Sequence, residues 1–154
     1  FKRVCRLWSI VLVSNIAGAL VFALLMHFFR YIDYGIQATM IDVANKVYES
    51  GPLKNFIGAI FAGWLIALMV WILPFAETAR VSVIVIITYV VGLGGFSHII
   101  AGSVNAFFGV CCGSADLKMF FANFFFPTLF GNILGGVAFV SAINHAQASP
   151  DNSY

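Results

Sequence analysis

The sequence predicts an all-α integral membrane protein, and three observations carry that prediction. Of 154 residues, 62% are hydrophobic and 9% charged, and mean hydropathy is +0.99, whereas soluble domains are about half apolar and about a quarter charged. The charges are missing from whole stretches: none of Asp, Glu, Lys or Arg occurs between Arg6 and Arg30. Those stretches also have the length of a bilayer crossing. Residues 7–29 rise about 35 Å as a helix, against a hydrocarbon core of about 30 Å. A chain so apolar is neither disordered nor a nucleic-acid binder working through a basic face. Three cysteines, two of them adjacent, do not make a disulfide scaffold.

Residues 1–6 form a basic juxtamembrane segment, and Lys2, Arg3 and Arg6 place that end in the cytoplasm by the positive-inside rule. Its start at Phe1, inside a basic stretch, suggests that a further N-terminal portion precedes it. Residues 7–29 exceed a signal-peptide core and carry no small-residue cleavage pattern, so they read as a retained helix. Residues 36–50 set Met40, Ile41, Val43, Ala44 and Val47 among Asp42, Asn45, Lys46 and Glu49, the pattern of an amphipathic connecting helix. A second crossing spans residues 53–74 and closes on Pro74.

Residues 81–112 hold no formal charge, yet as one helix they rise about 48 Å, too far for a single crossing. Gly92, Gly94 and Gly95 weaken that helix by about 1 kcal/mol each relative to alanine, so the stretch is expected to break near residues 92–98. Residues 120–143 form the last crossing, with Pro127 early and Gly131, Gly135 and Gly136 permitting close helix contact. A polar tail covers residues 147–154. Four crossings return the C-terminus to the side of the N-terminus.

Backbone freed at a break cannot face lipid and must be buried in protein or line a wet cavity. The second half-helix, starting near Ser97, offers N–H groups that attract anions. His98 stands at this point. An ionisable residue at membrane depth is a functional candidate; the alternative is a structural histidine bonding a carbonyl that the break exposes. No Cys–His spacing suits a metal, and Ser97 beside His98 lacks the surroundings of a hydrolase nucleophile, so neither a metal, a cofactor nor an enzyme is expected.

Four stretches resemble the formate/nitrite transporter family: Ser14-Asn15-Ile16-Ala17-Gly18-Ala19-Leu20, the helix from Gly63-Trp64-Leu65 to Trp71, Gly95-Phe96-Ser97-His98-Ile99-Ile100-Ala101, and Pro127-Thr128-Leu129-Phe130-Gly131-Asn132-Ile133-Leu134-Gly135-Gly136. They follow the family's order, and their details look most like a less characterised bacterial branch. The resemblance implies an aquaporin-like protomer of six membrane elements in inverted repeats, assembled as a homopentamer in the inner (plasma) membrane. This chain matches helices three to six. The first two helices, with the loop that faces the central histidine, are expected elsewhere, and a complete pore needs them.

His98 matches the family's central pore histidine, which implies passage of a small monovalent anion, formate or a similar weak acid, linked to protons. Lys46 matches the lysine that raises the positive potential of the entrance, with Lys54 as its competitor. Asn132 matches a last-helix asparagine that donates toward the pore or bonds between helices. Gly63 departs from a pore asparagine of the family. Hydrophobic constrictions are expected near Ile66 and Val91. Two other readings remain open: an aquaporin-like channel for neutral solutes, and a non-conducting membrane assembly protein.

Overall fold

The computed structural model describes residues 2–28 and 33–148. Phe29, Arg30 and Tyr31, and the part of the polar tail from residue 149 onward, lie outside them. All regular structure among the described residues is helical. Helix α1 spans Lys2–Phe28, α2 Tyr34–Glu49, α3 Gly51–Ile72, α4 Arg80–Leu93 and α5 Ile99–Cys111; α6 (Leu117–Met119) passes through a π-helical stretch, Phe120–Phe125, into α7 (Phe126–Ala148). Three helical runs are long and apolar enough to cross a membrane: Lys2–Phe28, Gly51–Phe75 and Leu117–Ala146.

Several boundaries differ from the sequence expectation for a local reason. Helix α1 runs through Arg3 and Arg6 instead of starting after them, since Lys and Arg are good helix formers that keep their charge in water from a helix end. Helix α2 begins at Tyr34 because Asp33 caps it, its carboxylate accepting the Gly35 N–H at 2.7 Å. Helix α3 opens at Gly51 with Pro52 in its first turn, where a missing N–H costs nothing. Past Ile72 the chain tightens into the 3₁₀ turn Leu73–Phe75 around Pro74. Helix α7 continues to Ala148, so the polar tail is still helical at residues 147 and 148.

Helices α3 and α7 cross with their backbones in close approach. An added Cβ on Gly135 would run into the Ile60 carbonyl, one on Gly131 into the Phe56 carbonyl, and one on Gly63 into the Asn132 backbone. The two backbones therefore touch, the close approach that small residues permit between membrane helices. Gly63, expected to leave a pore contact missing, is fully committed to this crossing.

A second layer forms on α5. Ala19 and Ala23 of α1 pack against it with Phe107 and Phe108, and the Phe107 and Phe120 rings stack at 4.3 Å. Tyr48 of α2 is buried and donates its hydroxyl to the Ala106 carbonyl at 2.6 Å, tying the amphipathic helix to α5. Outward surfaces remain apolar: Trp8, Val13, Val85 and Leu134 are all exposed, a distribution that suits hydrocarbon surroundings and not water. Asn15, on that exterior, turns its amide back to the Val11 carbonyl at 2.8 Å, as lipid exposure demands.

Candidate functional site

The site grows out of the interruption between α4 and α5. Helix α4 ends in a Schellman motif: the Phe96 N–H reaches the Val91 carbonyl at 3.0 Å and the Gly95 N–H reaches Gly92 at 3.1 Å. Gly95 carries φ +60°, a backbone region that glycine enters without steric cost. Residues 96–98 then run without regular structure, and α5 starts at Ile99, with His98 as its cap in extended conformation. The second half thus begins two residues later than the expected Ser97.

Two asparagines hold this segment. Asn132 of α7 accepts the Ile99 N–H at 2.8 Å and donates to the carbonyls of Ala59 (2.8 Å) and Ser97 (3.1 Å). Asn55 of α3, 3% exposed, accepts from the Ser97 hydroxyl at 2.8 Å and donates to the carbonyls of Val47 and Asn123, each at 2.8 Å. Both side chains thereby spend their two amide hydrogens and their oxygen inside the protein.

Asn132 holds the break together through these bonds between helices, one of the two roles expected of it. Asn55 is not among the site residues expected from the sequence; it stands next to Lys54 at the entrance of an apolar run. A carboxamide inside such a run was the available signal, because it must find partners there.

The first turn of α5 is largely capped. Ile99 N–H is taken by Asn132 and Ala101 N–H by His98 Nδ1 at 3.4 Å. The expected row of exposed N–H donors at this half-helix is therefore mostly occupied. Acceptance at Nδ1 assigns the proton of the neutral ring to Nε2.

A cavity of about 1030 Å³ lies against the break, and its wall brings together His98, Ser97, Lys46, Ile66, Val91, Gly92, Gly94 and Gly95. Of the site residues expected from the sequence, Asn132 is the one missing from it. Lys54, Asn55, Asn105 and Phe124 join the same wall. Phe124 comes from the π-helical stretch, its ring seated where a side chain on Gly102 would have to go.

The two lysines differ in charge balance. Lys46 Nζ pairs with Asp42 at 2.6 Å on the exposed face of α2, and that hydrogen bond and charge raise its pKa above the ordinary lysine value. Lys54 has no carboxylate partner among the described residues. Among those residues no cluster of His, Cys, Asp and Glu suits a metal ion.

Residues 1–146 match the family described as formate/nitrite transporter. The chain belongs to that family. Its fold is accordingly that of an all-helical, multi-pass membrane protein in a family of transporters, not enzymes. It is 35% identical over 148 residues to the inner membrane protein YfdC of Escherichia coli strain K12, covering 96% of this chain and 48% of that protein. It is 31% identical over 151 residues to the uncharacterized transporter YrhG of Bacillus subtilis strain 168, covering 92% of this chain and 54% of that protein. The chain thus spans about half the length of these curated relatives. No solved structure matches it.

Proposed function

We propose that this chain contributes the histidine-bearing wall of a pore for small monovalent anions, formate- or nitrite-like weak acids, in the inner membrane, with passage linked to protons at His98. The observation that carries the reading is the single cavity shared by His98, two lysines and the apolar residues Ile66 and Val91. The lysines bring positive charge to the mouth, which Asp42 beside Lys46 and Glu49 on the same wall partly offset. Farther in, the wall is apolar, and carrying a bare charge through such surroundings costs on the order of tens of kcal/mol without compensation. A weak acid avoids that cost by crossing as its neutral form.

His98 is placed for the exchange. As a neutral ring it meets an anion with Nε2–H as donor. A second proton, at Nδ1, releases the long contact to Ala101. The imidazolium then delivers one proton to the anion, leaving a neutral acid and a neutral imidazole. An aquaporin-like protomer within a homopentamer, with the remaining pore wall supplied from outside this chain, completes the proposal.

One observation favours a second reading, a channel for neutral solutes: Nδ1 already serves as an acceptor, which suits a ring that never changes charge. Flux assays separate the two. The complete protein in proteoliposomes is expected to take up formate faster as a proton gradient is imposed. Current-free uptake of neutral solutes with no response to pH overturns the anion reading.

A further inference from the structure

His98, Ala101, Gly102 and Asn105 all line the cavity. Their spacing of three, four and seven residues puts them on one face of α5. An imidazole and a carboxamide thus stand two turns apart, about 10 Å along the helix, with the Phe124 ring packed over Gly102 between them. Asn105 is half-buried, and among the described residues its side chain makes no hydrogen bond. Asn55 and Asn132, on the same break, satisfy every amide atom. The Asn105 carboxamide stays accessible from the cavity and is therefore available to a solute there.

The next residue, Ala106, receives the Tyr48 hydroxyl at 2.6 Å, which fixes the last turn of α2 beside Asn105. Lys46 lies on that same stretch of α2 and lines the same cavity. Asn105 therefore shares one cavity with both Lys46 and His98.

We propose that Asn105 is a specificity-determining contact for the transported weak acid. The inference rests on the reading of this cavity as an anion path. A carboxamide both donates and accepts. Its N–H groups bond the oxygens of the anion, and its carbonyl accepts from the hydroxyl of the protonated acid. A lysine, which only donates, cannot hold both forms. Asn105 thus favours solutes that change between the two protonation states over anions that never take a proton.

The test uses the complete protein reconstituted in liposomes, with formate as the probe, and compares wild type with Asn105→Leu and Asn105→Asp. Leucine keeps the branched outline without hydrogen bonds, and formate uptake is expected to fall about tenfold. Aspartate adds a like charge, and uptake is expected to fall further. Because the side chain bonds nothing within the protein, the melting midpoint in detergent is expected to stay at the wild-type value for both variants. Formate uptake within about twofold of wild type in both variants overturns this inference and leaves the anion pore standing, as does a loss that tracks a lowered melting midpoint. A wild-type protein that takes up no formate overturns the anion pore itself, and this inference with it.

Discussion

Asn55 of α3 and Asn132 of α7 grip the same residue, Ser97, by different atoms: Asn55 accepts from its hydroxyl at 2.8 Å and Asn132 donates to its carbonyl at 3.1 Å. The helices that carry them are the two whose backbones touch through glycines. The irregular segment between α4 and α5 is thus clamped from two helices in close backbone contact, and His98 follows immediately from the clamped residue. Placement of the imidazole depends on backbone geometry fixed from two helices away.

Replacing Asn132 with Leu is expected to cost on the order of 3 kcal/mol, since it strips the Ile99 N–H and the Ser97 carbonyl of their side-chain partner, and each buried orphan costs about 1–3 kcal/mol. Asn55→Leu is expected to behave similarly through the Val47 and Asn123 carbonyls. Unfolding in detergent measures both. An unchanged midpoint in either variant would mean that the break is held by something other than its asparagine.

Adjacent glycines give an internal control on the α3–α7 crossing. A Cβ at Gly135 meets the Ile60 carbonyl, which has no freedom to move, whereas one at Gly136 finds its nearest neighbour, the Gly63 carbonyl, at 3.8 Å. Gly135→Ala is therefore expected to destabilise by about 1–3 kcal/mol through overpacking. Gly136→Ala is expected to be neutral or to gain up to about 1 kcal/mol of helix propensity. Equal effects of the two substitutions on the unfolding midpoint would contradict the packing described.

Much of this was legible in the chain itself. Crossing-length apolar runs, the excess length of residues 81–112 and the glycines at the break depend on local composition, and composition survives without a fold. His98 stood out because titratable groups are expensive at membrane depth. The roles of Asn55, Asn105 and Asn132 were not legible, because whether a carboxamide caps a helix or faces a cavity is decided by what packs opposite it. The π-helical stretch Phe120–Phe125 was not legible for a related reason: six residues of Phe, Ala and Asn fit an ordinary α-helix equally well.

The charge difference between the two lysines has a measurable consequence. Asp42 at 2.6 Å offsets most of the field of Lys46, whereas Lys54 lacks such a partner among the described residues. Lys54→Met is expected to slow anion uptake more than Lys46→Met at low ionic strength. The gap closes as the screening length falls from about 30 Å at 0.01 M salt to about 3 Å at 1 M. Initial uptake rates across a salt series check this, and a larger effect from Lys46→Met would reverse the assignment of the dominant mouth charge.

The Lys46–Asp42 pair also separates the sources of pH dependence. Its raised pKa keeps Lys46 charged below and through the ordinary lysine range, and the contribution of the pair is lost only as pH rises through that raised value. Near neutral pH the ammonium is therefore constant, so Lys46 is not the source of a response of uptake there. His98, half-buried and on that wall, is the group whose unperturbed titration lies in this range. His98→Asn, which retains a donor, and His98→Phe, which does not, are both expected to flatten the pH profile of formate uptake between mildly acidic and mildly alkaline conditions. Asn is expected to preserve more of the absolute rate, since its amide can still donate to the anion where Nε2–H did. A pH profile in both variants that superimposes on the wild type after scaling would show that the imidazole exchanges no proton with the solute, and the ring's part in the break would reduce to capping α5 through Ala101.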